Sequence, residues 1–128
     1  MQENNLLEVE HLCVQFCSSS RGKKRMVRAV DDVSFTVRET ETFGLVGESG
    51  CGKTTTGRTI LRLYDPDSGT VRFQNREISG KMTRELNHWI TLNIAMIFQD
   101  PIESLNPRMT VAEIVGEGLK YRGVTDKR

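Results

Sequence analysis

The sequence predicts an α/β fold in which an antiparallel β segment precedes a strand, a glycine-rich loop and a helix, and three observations predict it. Val9, Leu12, Val14 and Phe16, and then Val30, Val33, Phe35 and Val37, sit among polar residues as half-buried strands do. Residues 42–46 form a short apolar run that leads into Gly47-Glu48-Ser49-Gly50-Cys51-Gly52-Lys53-Thr54, after which Ile60, Leu61 and Leu63 suit a packed helix. Residues 94–98 are a continuous apolar run of strand length, the pattern of a strand covered on both faces.

Taken in order, the first two stretches join most simply as a hairpin. Residues 18–28 between them are Ser-rich and basic, with Arg21, Lys23, Lys24, Arg25 and Arg28. They read as a solvated hairpin loop, with a contact to acidic lipid or to a partner as the alternative. Residues 42–46 are expected as a buried strand and residues 53–63 as the following helix. Asp65, Pro66, Asp67, Ser68 and Gly69 stop that helix with turn chemistry. Residues 70–73 and 76–78 make a second small hairpin with Asn75 in its turn, and residues 83–89 are a helix candidate. The buried strand expected at 94–98 runs into Gln99, Asp100 and Pro101. Thr110 and Glu113 have capping-box spacing, so a last helix begins at Val111 and ends near Gly123.

Composition narrows the setting without naming a function. The 128 residues fit one domain, and 37% hydrophobic with 27% charged residues is ordinary for a globular chain. A formal net charge of +1 supplies no global field toward nucleic acid or anionic lipid, so partners must be argued from sites. No stretch reads as a secretory signal or a membrane-spanning helix. Three cysteines, an odd number, read as reduced thiols in the cytosol rather than as a disulfide framework. His11, Cys13 and Cys17 suggest a metal site, but on a strand Cys13 and Cys17 stand about 13 Å apart, too far to share one ion.

The chemistry concentrates in residues 47–54, which match GxxxxGK[S/T] between a short apolar run and a helix. Glycine lets the backbone wrap closely enough for several N–H groups to face phosphate oxygens, and the helix dipole adds to the attraction. Gly47, Gly50 and Gly52 supply that freedom, with Glu48 and Ser49 between them. Lys53 is placed to bridge β- and γ-phosphates, the Thr54 hydroxyl to complete a Mg²⁺ shell, and Thr55 to assist at the α-phosphate. Cys51 occupies a variable loop position as a small filler, although a thiol at a helix N-terminus is also a reactive one.

Leu7, Val9 and Leu12 make an LxVxxL-like opening. With the loop at 47–54 and Phe98-Gln99-Asp100-Pro101, the whole chain resembles the nucleotide-binding subunit of ATP-binding-cassette transporters. Ser104-Leu105-Asn106-Pro107-Arg108-Met109-Thr110-Val111, after the glutamine, is similar to the oligopeptide and dipeptide importer branch. The resemblance implies the N-terminal part of a P-loop nucleoside-triphosphatase domain: an antiparallel β subdomain, the loop-bearing strand–helix core and the start of a helical subdomain. It implies ATP and Mg²⁺ as cofactors, with Gln99 reaching the metal and the attacking water. Phe16 falls where the family stacks an aromatic ring, usually tyrosine, on adenine; a core aromatic at a strand end is the alternative. Arg108 reads equally as a coupling contact or as a solvated loop charge.

The family also uses an LSGGQ-type signature, an apolar strand ending in Asp-Glu and a later histidine, and these 128 residues contain none of them. The chain therefore corresponds to an N-terminal portion of the domain, and by itself is expected to bind ATP without hydrolysing it. The missing strand is expected to leave an open edge beside the loop-bearing strand. The resemblance further implies a second ATPase subunit, identical or related, membrane permease subunits, an extracellular peptide-binding protein acting indirectly, no nucleic acid, and a place on the inner face of the cell membrane. A non-transport cassette ATPase and a catalytically silent nucleotide-binding module are the competing readings.

Overall fold

The computed structural model describes residues 4–20, 23–100 and 105–124, which form two compact units, Met1–Ile90 and Thr91–Arg128. In the first unit, β1 (Asn5–Ser20) and β2 (Lys23–Arg38) make a long hairpin, and β3 (Ser68–Phe73) and β4 (Arg76–Glu77) a short one. They build one antiparallel sheet in the order β2-β1-β3-β4. Helix α1 (Lys53–Ile60) lies between the hairpins in sequence, and α2 (Arg84–Asn93) follows them. Helix α3 (Val111–Tyr121) belongs to the second unit.

The core of the first unit is Val9, Leu12, Val14, Val30, Val71, Ile78, Leu86 and Ile90, so β1, β2, the second hairpin and α2 each contribute. Val9 and Leu12 are three residues apart, not two, yet both are buried. Register shifts on either side of Leu12 and the left-handed backbone of His11 (φ 51°) absorb the extra residue and return the chain to the same face. Asp32 opposite is also left-handed (φ 53°), and its carboxylate meets the His11 ring at 2.7 Å. In the second hairpin Gln74 and Asn75 both take positive φ, as a two-residue turn requires, which places Asn75 where the sequence predicts it.

Three expectations need correction. The basic connector is not a loop of eleven residues: the β1–β2 ladder continues through Ser18↔Arg25 to Ser20↔Lys23, leaving only residues 21–22 between the strands. Residues 42–46 and 94–98 are not strands and are not buried, with Val46 93% and Ile97 92% exposed. Apolar composition creates a demand for burial, but a strand exists only when a neighbour completes its ladder, and among the described residues neither run has one.

The third correction concerns the end of α1, which stops three residues before position 63. Arg62 adopts φ 60° at the position after the helix cap, where glycine is usual. Leu63 N–H then donates to the Arg58 carbonyl at 2.9 Å and Arg62 N–H to Thr59 at 2.9 Å, closing the last turn. A left-handed arginine costs about 1–2 kcal/mol. Its guanidinium offsets that by donating to the Ile78 carbonyl (2.7 Å), the Gly80 carbonyl (3.0 Å) and Asp65 (2.8 Å). The Arg62 side chain is only 4% exposed.

Helix α3 follows its sequence signals. Thr110 accepts from the Glu113 N–H while the Glu113 carboxylate accepts from Thr110 N–H at 2.7 Å, a complete capping box. These bonds to Thr110 hold the Glu113 carboxyl below the usual glutamate range. Gly123, at φ 78°, ends the helix as expected.

Candidate phosphate-binding site

The loop at residues 47–54 is fixed at its far end by its last glycine. Gly52 has φ 97° and caps α1 without any side-chain bond. A Cβ placed on it would stand 2.2 Å from the Ala29 carbonyl oxygen of β2, so the loop rests against the β2 backbone at a distance only glycine permits. Gly50 (φ 83°) also needs left-handed freedom, but nothing lies within 4 Å of its missing Cβ.

Lys53 opens the helix and turns its ammonium back into the loop. Nζ donates to the carbonyls of Gly47 (2.7 Å) and Glu48 (2.6 Å) and lies 3.4 Å from Cys51 Sγ. One cation thus organises the chain around itself, and phosphate oxygens arriving there would compete for the same three donor hydrogens. The first turn of α1 contains no acidic residue that would repel an anion. Its leading N–H groups have no partner within the helix by construction. Cradle, cation and helix end therefore suit a polyphosphate.

The three threonines at 54–56 divide between binding and support. Thr56 is buried and donates to the Gly52 carbonyl at 3.0 Å, and Thr59, one turn on, donates to Thr55 at 2.8 Å. Thr54 is exposed and Thr55 half-buried, which leaves Thr54 as the hydroxyl presented to solvent beside Lys53. Behind them an open apolar cavity of about 590 Å³ is lined by Phe35, Phe43 and Leu45 together with Lys53, Thr54 and Ile60. Phe35 and Phe43 stack within it at 4.9 Å, so Phe43 and Leu45 keep apolar company even without a ladder.

Gly47, Glu48, Ser49, Gly50, Cys51, Gly52, Lys53, Thr54 and Thr55 are gathered in one short segment of the first unit. Phe16 is on β1 in the same unit, 38% exposed, its ring 5.2 Å from that of Tyr64 and nearly perpendicular to it. Gln99 is exposed and lies in the second unit outside any helix or strand. Pro101 and Ser104 of the following string fall outside the described residues. Sequence reasoning missed Tyr64 and the Gly52–Ala29 approach, since neither a ring contact nor a backbone approach leaves a spacing pattern.

A family model described as ABC transporter matches residues 30–127. The chain belongs to the ABC transporter family. It is 52% identical over 114 residues to the oligopeptide transport ATP-binding protein OppF of Bacillus subtilis, covering 89% of this chain and 36% of that relative. It is 42% identical over 125 residues to the dipeptide transport ATP-binding protein DppF of Lactococcus lactis, covering 96% of this chain and 39% of the relative. The chain thus spans between a third and two-fifths of the length of these two relatives. Among solved structures, the dimeric bacterial ABC transporter cassette MJ0796 superposes with a TM-score of 0.80 at 22% identity, over 95% of this chain and 50% of that one. That likeness shows the ABC cassette fold and bears out the α/β class.

Proposed function

We propose that this chain is the N-terminal portion of the ATP-binding subunit of a peptide importer, and that it holds the triphosphate of Mg-ATP in the loop at residues 47–54. The observation that carries the reading is the Lys53 ammonium set inside a cradle of loop carbonyls at the start of a helix, with Gly52 pressed on β2. The names of the relatives support oligopeptide or dipeptide as the cargo. Backbone N–H groups of the loop and first helical turn receive phosphate oxygens, and Lys53 exchanges its carbonyl partners for the β- and γ-phosphates. Thr54 would hold Mg²⁺, which when bound would neutralise charge between those phosphates. Phe16 stacks on the adenine ring. In the assembled transporter the subunit pairs with a second ATPase subunit, docks on permease subunits at the cytoplasmic membrane face, and is linked only indirectly, through the permease, to an extracellular peptide-binding protein.

The family resemblance gives Gln99 the role of orienting water, and a neutral amide cannot take a proton from water, so this chain on its own binds nucleotide and does not turn it over. Titration of Mg-ATP into the chain and into Lys53→Ala, with released phosphate measured in parallel, tests both points. Losing one charge-assisted contact of about 1.5–3 kcal/mol weakens binding about tenfold or more. Equal affinity in a folded Lys53→Ala refutes the role of the lysine. Multiple turnovers that Lys53→Ala abolishes would reveal a base within these residues.

A further inference from the structure

Phe16 stands on β1 beyond the point where the sheet supports that strand from both sides. The β1–β3 ladder ends at Cys13↔Ser68, whereas Phe16 pairs only with Val27 of β2. What holds this stretch on its other side is the segment after α1. Gln15 N–H donates to the Asp67 carboxylate at 2.6 Å, and the Tyr64 ring packs against Phe16 at 5.2 Å with 79° between the planes. The Tyr64 hydroxyl in turn accepts from Arg58 Nη1 at 3.1 Å, and Arg58 lies five residues after Lys53 on α1.

We infer that Tyr64 is a positioning residue for the nucleotide base: it sets the orientation of the Phe16 ring, and Arg58 sets Tyr64 from the phosphate-loop helix. The inference rests on the reading of Phe16 as the base platform. A phenyl ring on an exposed ribbon turns about two side-chain bonds, and stacking on a base requires one orientation. Edge-to-face packing against a second ring removes that freedom before the base arrives. Because Arg58 and Lys53 share one helix of eight residues, the base platform and the phosphate cation are held by the same element.

The test separates base from phosphate. Dissociation constants are measured for Mg-ATP and for inorganic triphosphate, which has no base, with the parent chain, Phe16→Ala, Tyr64→Leu, Tyr64→Phe and Arg58→Met. Tyr64→Leu should weaken ATP about threefold to tenfold while triphosphate changes less than about twofold. Tyr64→Phe keeps the ring and loses only the bond to Arg58, so it and Arg58→Met should show the same smaller rise, about twofold to threefold, for ATP alone. If Tyr64→Leu weakens both ligands equally, or neither, the positioning role is overturned. Should that variant fail to fold by circular dichroism, the Tyr64→Phe and Arg58→Met pair decides: an equal ATP-only rise sustains the role, and no rise in either overturns it. Phe16→Ala keeps the two failures distinguishable. If it does not weaken ATP selectively, the platform reading falls and the inference with it; if it does while Tyr64→Leu changes nothing, the inference alone falls.

Discussion

Gly52→Ala should be the most damaging single methyl in the loop, and its cost can be worked from two separate terms. The first is conformational: a left-handed backbone carrying a Cβ costs about 1–2 kcal/mol, and Gly52 sits at φ 97°. The second is steric, because the new Cβ meets the Ala29 carbonyl oxygen at 2.2 Å and its carbon at 3.3 Å. That neighbour is β2 backbone between Arg28 and Val30, both paired to β1, so it cannot swing aside as a side chain would. Overpacking of this kind costs about 1–3 kcal/mol, for a sum of about 2–5 kcal/mol. Gly50→Ala is the internal control, since it has the same left-handed need (φ 83°) and no atom within 4 Å of the added Cβ. It should lose only the conformational term. Urea unfolding followed by circular dichroism measures the difference, and with a slope of about 1–3 kcal/mol/M the two midpoints should separate by about 0.3 M or more. Mg-ATP affinity should fall further in Gly52→Ala, because the methyl moves the residue immediately before Lys53. Coincident unfolding curves for the two variants would refute the claim that the loop is seated on the β2 backbone.

Two further outcomes follow from the same contacts. The Glu113 carboxyl is held below its usual range by the Thr110 N–H and hydroxyl, so its contribution to α3 is fully present above the ordinary glutamate value and is lost as pH falls through the lowered one. Helical circular dichroism of the parent should therefore decline in that acid window, and Glu113→Gln should flatten the decline; identical pH profiles would show that the capping box does not sense pH. Cys51 and Cys17 are both exposed, but only Cys51 lies 3.4 Å from Lys53 Nζ. Mg-ATP should slow maleimide labelling of Cys51 and leave Cys17 unchanged, as read by peptide mass spectrometry, and equal rates with and without nucleotide would place the phosphates elsewhere.

The parts of the fold that were legible in the sequence are those decided by neighbours along the chain. Thr110 and Glu113 announce the start of α3 because both halves of a capping box lie within four residues. Asn75 announces a turn because its own backbone tolerates positive φ. The glycine-rich loop and the helix after it are legible for a related reason, as the glycines, the lysine and the helix start are contiguous. What the sequence hides is decided across space. Residues 42–46 and 94–98 look like buried strands by composition, yet whether they become strands depends on a partner ladder that no local pattern encodes. The Val9–Leu12 spacing breaks the period of two, and only the left-handed His11 explains why both still reach the core. Arg62 hides in the same way: the turn residues at 65–69 predict the helix stop, but the stop is made by an arginine in a glycine-like conformation, stabilised by carbonyls 16 and 18 residues away.

The position of Lys53 depends on more than the loop that contains it. An isolated helix of eight residues is unstable in water, because nucleation costs more than so few bonds return. Helix α1 therefore persists through what holds its two ends. At its start the Gly52 backbone presses on Ala29 of β2, and the buried Thr56 hydroxyl closes the first turn on the Gly52 carbonyl. At its end the Arg62 guanidinium reaches the Ile78 and Gly80 carbonyls in the segment between β4 and α2. The helix is thereby clamped between two parts of the sheet unit that are distant in sequence. Loosening either clamp moves the ammonium of Lys53 at one end and the Arg58 support of Tyr64 in the last turn. Arginine suits the C-terminal clamp because its planar fork satisfies several acceptors at once, where lysine would satisfy them as a point charge without fixed geometry. The proposed phosphate site is in this sense a property of the antiparallel unit, which supplies the backbone against which a glycine loop and a short helix acquire a single arrangement.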